Sequence, residues 1–294
     1  MADIGARLRQ SRLVWRLKTM PAVIRHAFRR PAVTAEESRL AELLRRDGVA
    51  LTHLDDLFGP DLKPALRAWV ADQRIRLGID ERIRAVRDSP IDGKKDSFLV
   101  DLWGGPHILD FNHPLLRTSL SDPMLNVVSA YLGMWPKFRE FWLHVTVPVP
   151  TGTNPYASQR WHADPDDRRM VKTFLYLSDV DETAGPFTYI RGTQEGGRWR
   201  HLFPFAPKQR SRHPDPAFIE RTIPPEDIFI ATGNAGSLVF CDTSGIHRGG
   251  YATAKERVMY TSVFTTPGSA RATQYAPSAR APADLDPRVR YAVA

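Results

Sequence analysis

Residues 160–180 read RWHADPDDRRMVKTFLYLSDV, and the fold turns on how this stretch is read. After Pro165 and a mixed-charge cluster comes an aromatic and β-branched run, MVKTFLYLSDV, whose composition is that of a buried strand. In extended chain, residues two apart project to the same face. The imidazole of His162 and the carboxylate of Asp164 can therefore converge on one ion. The triplet His-x-Asp is weak evidence by itself. With 9 His and 23 Asp in 294 residues, chance supplies roughly 0.7 copies. The chain has three, at His53, His162 and His213. His53-Leu-Asp55 sits at the mouth of a helical region, among natural cap residues. His213-Pro-Asp215 contains Pro214 and is followed by Pro216, and the two prolines favour a loop. The middle copy alone borders strand-like sequence.

Working outward, SFLVDLW, KFREFWLHVTVPV, FTYIRG, GSLVFCD and RVMYTSVFTT are further short runs, separated by Gly, Pro and Asp turns. Towards the N-terminus the texture is helical. Thr34-Ala-Glu-Glu37 is a capping box, opening a helix that should stop near Gly48. A second helical stretch is expected over about 61–87. Many short strands after helices predict a mainly β protein with flanking helices, an antiparallel sandwich or jelly roll. One domain over 31–267 is expected, with a basic arm at 1–30 and an Ala/Pro-rich extended tail at 268–294. An insertion at about 194–232 interrupts the strands and reads as a lid or substrate loop.

The net charge is +8, and residues 1–30 carry eight basic side chains against Asp3 alone, a net +7. The remainder sums to about +1, which argues against a nucleic-acid groove across the body. In the arm, Leu13, Leu17, Met20 and Ile24 recur at helical spacing, interrupted by Pro21. Two readings stay open: a helix on an anionic membrane surface, or a helix packed on the domain with solvated arginines. No apolar run approaches the roughly 20 residues of a membrane span. The lone Cys241 fits a reducing compartment and should be a small buried hydrophobe. A cytoplasmic location is the expectation, membrane-peripheral only under the first reading of the arm. Nothing in the pattern speaks to oligomeric state.

A catalytic metal needs a third ligand, and a sandwich brings distant strands face to face. His247, in GSLVFCDTSGIHRGG, follows a buried run and a tight Gly turn. Two His and one carboxylate hold non-haem Fe(II) on one side and leave the other open. Ten residues on, Arg257 offers a guanidinium that can clamp a carboxylate through two parallel hydrogen bonds.

These segments together resemble the phytanoyl-CoA dioxygenase family of Fe(II)/2-oxoglutarate oxygenases. His-x-Asp, a strand ending in Tyr176-Leu177-Ser178-Asp179-Val180, a Gly185-Pro186 turn, the distal His and a downstream Arg occur in the family's order, over about 140–266. The resemblance implies a double-stranded β-helix core of cupin-like type. It also implies that His162, Asp164 and His247 ligate Fe(II), while Arg257 binds the far carboxylate of 2-oxoglutarate beside a position for O₂. Asp164 then favours hydroxylation, or a desaturation or cyclisation variant, over halogenation, which needs the carboxylate's coordination position. Two positions depart from the family's pattern. Ile190-Arg191-Gly192-Thr193-Gln194 stands where a Pro-Gly-Ser-His run is usual, and Gly249 stands where some members have a hydroxyl that helps bind the cosubstrate.

Lys172, Tyr176 and Thr188 are candidates for the rest of the cosubstrate pocket. Trp161, Asp166, Arg168 and Arg191 are candidates for the substrate side, each equally readable as packing or a local ion pair. The expected function is hydroxylation of a small molecule, with an anionic or carrier-linked substrate suggested by the basic insertion. Hydroxylation of a protein side chain, a metal-binding module without turnover and a membrane-surface scaffold are the competing readings.

Overall fold

The computed structural model describes residues 11–89, 97–204, 213–277 and 282–294. Part of the basic arm (Arg7 and Arg9) and part of the basic insertion (Lys208, Arg210 and Arg212) lie outside them. Helices come first: α1 (Arg12–Phe28), α2 (Ala35–Asp47), then strand β1 (Val49–His53), α3 (Leu54–Phe58), α4 (Leu62–Arg76) and α5 (Ile79–Arg87). Strand β2 (Leu99–Asp101) precedes α6 (Pro114–Ser119) and α7 (Asp122–Leu132). There follow β3 (Lys137–Thr146), β4 (Met170–Tyr176), β5 (Phe187–Ile190), α8 (Pro216–Thr222), β6 (Ile228–Ala231), β7 (Ser237–Cys241), β8 (His247–Arg248), β9 (Arg257–Thr265) and α9 (Pro287–Val293).

Two antiparallel sheets face each other. The larger has the order β1-β7-β4-β9-β3-β2, the smaller β6-β5-β8. This is the expected jelly-roll core with helices against one face. The alternation of β3 shows how the sheet has two different sides. Phe138, Phe141, Leu143 and Val145 join the core beneath the helices. Glu140, Trp142, His144 and Thr146 line the cavity inside the roll. A bulge between Phe138 and Glu140 lets two phenylalanines three residues apart share one side. Between the sheets a second core holds Val49, Phe174, Tyr176, Phe187, Tyr189, Val239 and Cys241.

The capping box of α2 forms as expected, and Gly48 ends the helix with φ 80°, where a side chain would be strained. Four expectations need correction. Helix α1 runs through Pro21. The carbonyl left without a donor, that of Leu17, lies on an exposed turn where water can serve it. The stretch 61–87 is two helices, broken at Gly78 with φ 58°. Within the insertion, Ile228–Ala231 is a scaffold strand paired with β5; at four residues, half-exposed, it gave too short an alternation to separate from loop. The tail does not stay extended. It closes with α9, which buries Val289 and Ala292 and sets Tyr291 beneath the Lys137 ammonium, 3.9 Å from the ring centre.

His113 caps α6 through Nδ1 and stacks on Trp103 at 4.3 Å. Burial lowers its pKa from 6.5 to about 4. In that interval the unfolded chain takes up a proton that the folded chain refuses, so stability is complete above pH 6.5 and falls as the pH drops towards 4. His113→Asn keeps a capping side chain and should flatten this part of the Tm-versus-pH curve. An unchanged slope would show that His113 is not responsible.

Candidate metal centre

His162 and His247 are joined by their backbones before their rings are considered. The His162 amide donates to the His247 carbonyl, and the His247 amide donates back, both at 2.9 Å. The Asp164 amide donates to the Thr243 carbonyl at 2.8 Å. This short antiparallel clamp brings together residues 85 apart in sequence and aligns their side chains on one side.

Each imidazole then hydrogen-bonds a carbonyl through Nδ1, His162 to Arg160 at 2.8 Å and His247 to Gly245 at 3.0 Å. With Nδ1 the donor, the lone pair of Nε2 is left for a metal. His247 Nε2 lies 3.8 Å and His162 Nε2 4.0 Å from the Asp164 carboxylate. One donor atom from each of the three falls within 4.8 Å of the others. Burial lowers both imidazole pKa values, that of His247 to about 3, so both rings are neutral and able to ligate at ordinary pH. For Asp164 burial works towards a higher pKa. The Lys172 ammonium, followed by the two histidines, outweighs it and holds the carboxyl well below its usual range. Two neutral imidazoles and one carboxylate suit a divalent first-row metal, and Fe(II) among them.

The triad borders a cavity of about 630 Å³ whose wall includes Trp142, Thr146, Gln159, Lys172, Met259 and Arg257. Arg257 is 3% exposed. Its Nη2 donates to Thr146 Oγ1 at 3.3 Å, while Nε and Nη1 are buried without a hydrogen-bond partner. Burial lowers its pKa. A desolvated guanidinium with unused donors calls for an anion. A second cavity of about 550 Å³, also bordered by Asp164, is lined by Arg200, Phe203, His213, Phe218, Arg221 and Ile246.

Of the residues singled out in the sequence, the structure brings His162, Asp164, His247, Lys172, Asp166 and Arg257 to the larger cavity. Lys172 Nζ is 2.7 Å from Asp164 Oδ2, and Asp166 is paired with Arg271 Nη1 at 2.7 Å. Tyr176 is packed between the sheets, with its hydroxyl donating to the Ala231 carbonyl. Thr188 is buried on β5 facing the Pro186 carbonyl. Trp161 packs in a small core beneath the Arg248 guanidinium. Arg191 borders a separate cleft with Arg46 and Asp47 and donates to the Glu226 carbonyl. Arg168 is half-buried beside Asp167, whose carboxylate accepts its backbone amide.

Four contributors lay outside the candidates drawn from the sequence. Trp142 and Thr146 were legible in principle, because β3 alternates polar and apolar residues. His213 borders both cavities and bonds the Trp161 carbonyl through Nδ1 at 3.1 Å; its flanking prolines gave no signal beyond a loop. Gln159 is 6% exposed with Oε1 unpartnered. It follows Ala157, the one non-glycine residue with positive φ (45°) among the described residues. A Cβ on Gly249 would stand 3.2 Å from its amide, so Gln159 fills the space that a side chain at 249 would take.

The phytanoyl-CoA dioxygenase (PhyH) family profile matches residues 22–259. An ectoine dioxygenase of Bordetella bronchiseptica is 27% identical over 225 residues, 69% of this chain and 66% of that protein. The match thus spans just under two thirds of that relative's length. Among solved structures, the epimerase SnoN in complex with Fe3+, alpha ketoglutarate and nogalamycin RO superposes with a TM-score of 0.53 at 16% identity, covering 86% of this chain and 93% of its own. EctD from S. alaskensis with bound Fe gives 0.52 at 14% identity, covering 87% and 84%. These two structural likenesses speak to the fold.

Proposed function

This chain belongs to the phytanoyl-CoA dioxygenase family of Fe(II)/2-oxoglutarate oxygenases, and from that premise we propose that it hydroxylates a C–H bond of a small molecule. The observation that carries the reading is Arg257, a buried guanidinium with two unused donors in the same cavity as the His-Asp-His cluster. In this reading His162, Asp164 and His247 hold Fe(II), and Arg257 with Thr146 receives the far carboxylate of 2-oxoglutarate. When bound, iron with 2-oxoglutarate and O₂ supplies oxidative decarboxylation to succinate and CO₂ and delivers one oxygen atom to the substrate. The protein's share is to fix the donors and keep both imidazoles neutral.

The substrate in this reading occupies the second cavity, which also borders Asp164. Phe203, Phe218 and Ile246 suit an apolar body, and Arg200 and Arg221 suit an anionic end. The ectoine dioxygenase similarity is in keeping with a small-molecule substrate.

The test is an anaerobic titration of the metal-free protein with Fe(II) and 2-oxoglutarate, followed by O₂. A weak visible charge-transfer band and slow succinate release support the proposal. Folded protein that takes up iron but gives no band and no succinate would make it a binding module instead. Gln159 is proposed to take the cosubstrate role of the hydroxyl that Gly249 lacks. Gln159→Ala should leave iron content unchanged and raise the KM for 2-oxoglutarate about tenfold, the scale of one hydrogen bond to a charged group. An unchanged KM removes Gln159 from the pocket's chemistry.

A further inference from the structure

Helix α1 meets the domain with one side and leaves an apolar stripe on the other. Thr19, Ala22 and His26 are buried, and Trp15 Nε1 donates to Asp167 Oδ1 at 2.8 Å. This side is anchored further where the Asp167 carboxylate accepts from the amide and hydroxyl of Thr266, beyond the end of β9. The helix is therefore held in register by its polar and small residues. Its large apolar residues point away from the body: Leu13 is 66% exposed, Leu17 57%, Met20 49%, Ile24 48% and Phe28 86%. Spacings of four, three, four and four put them on one ridge. Of the eleven large hydrophobics exposed among the described residues, six lie on this helix. Scattered single apolar residues need no explanation; a continuous ridge does.

Charge identifies what covers it. At 100° per residue, Arg12 and Arg16 fall along one flank of the ridge and Lys18 and Arg25 along the other; all four are exposed, with Arg12 ion-paired to Glu195 at 2.7 Å and Arg25 lying over the Tyr291 ring. Arg29 and Arg30 follow at the end, and no acidic residue occurs between Asp3 and Glu36. A second copy of the chain would bring the same six positive charges of residues 12–30 against themselves. An anionic lipid surface instead matches the basic flanks and admits the apolar ridge between headgroups.

We infer that α1 docks the enzyme on an anionic phospholipid bilayer, with Leu13, Leu17, Met20, Ile24 and Phe28 entering the interface and Arg16 and Lys18 meeting lipid phosphates. The anchoring bond from Trp15 reaches Asp167, next to Asp166 in the wall of the larger cavity. The docked helix thus lies beside the pocket, and the domain is held at the surface by a rigid element.

The experiment is flotation of the full chain with vesicles of phosphatidylcholine alone and with phosphatidylglycerol added, at low and high salt. Wild type should float with the anionic vesicles, less so as salt screens the flanks, and poorly with phosphatidylcholine alone. Leu17→Glu with Ile24→Glu, both at exposed positions, should lower partitioning at least roughly tenfold with an unchanged thermal melt. Arg16→Ser with Lys18→Ser, which leaves the ridge intact, should weaken only the anionic-vesicle binding. Failure of wild type to float, or a double-Glu variant that floats as wild type does, overturns the proposal. So does a wild-type dimer in size exclusion that the double-Glu variant splits, because a second copy would then be the cover.

Discussion

Asp164→Ala is expected to release the iron and abolish succinate formation. In the proposed site the carboxylate is one of three protein donors. Its loss should exceed the roughly 10–100-fold weakening that follows removal of a partner merely supporting a ligand. The same change strips Lys172 of its partner at 2.7 Å. A buried ammonium without a counter-charge costs about 3–5 kcal/mol, so the single variant should also melt earlier. Asp164→Ala with Lys172→Met separates the two effects: the melt should recover and metal content should not. If the double variant retained iron and turned over 2-oxoglutarate, Asp164 would not be a ligand.

Arg257→Ala should act on the other half of the chemistry. Iron content stays, while 2-oxoglutarate binding weakens by about 2–5 kcal/mol, the cost of removing the partner of a buried carboxylate, or roughly 30- to several-thousand-fold in Kd. Stability should move the opposite way. In the protein without cosubstrate this guanidinium is desolvated with Nε and Nη1 unpaired, so Arg257→Ala or Arg257→Met should raise the Tm of the ligand-free form. The stabilisation that 2-oxoglutarate gives wild type should disappear. A variant that still gains Tm from 2-oxoglutarate would place the carboxylate elsewhere.

The candidate metal triad was legible in the sequence because strand geometry makes alternate residues neighbours. His162 and Asp164 needed nothing more than extended chain, and His247 needed a sandwich to bring it across. Arg257 followed from its place ten residues after His247 in a strand-like run. What was not legible depends on contacts the local pattern does not encode. Thr188 and Tyr176 alternate on suitable strands, yet the inter-sheet core claims one and backbone carbonyls claim the hydroxyls of both. Gln159 reaches the cavity from a one-turn 3-10 segment whose conformation rests on a strained Ala157. Arg271, paired with Asp166 and Glu140, comes from the segment expected to be an extended tail. The helical half was read well at α2, where caps are written in adjacent residues, and less well where a helix tolerates Pro21 on a solvent-facing turn.

The order of strands in the larger sheet has a consequence for how the chain is made. The last strand in sequence, β9, lies in the middle of the sheet between β4 and β3. Until residues 257–265 leave the ribosome, β3 and β4 have no shared partner and each shows an unpaired edge, a template for pairing between nascent chains. The backbone clamp likewise waits for His247 to meet His162, so a half-made chain lacks the assembled candidate site. Maturation of this protein is therefore gated by its C-terminal third. Chains stopped before Arg257 should accumulate as insoluble material, where those stopped within the final helix do not.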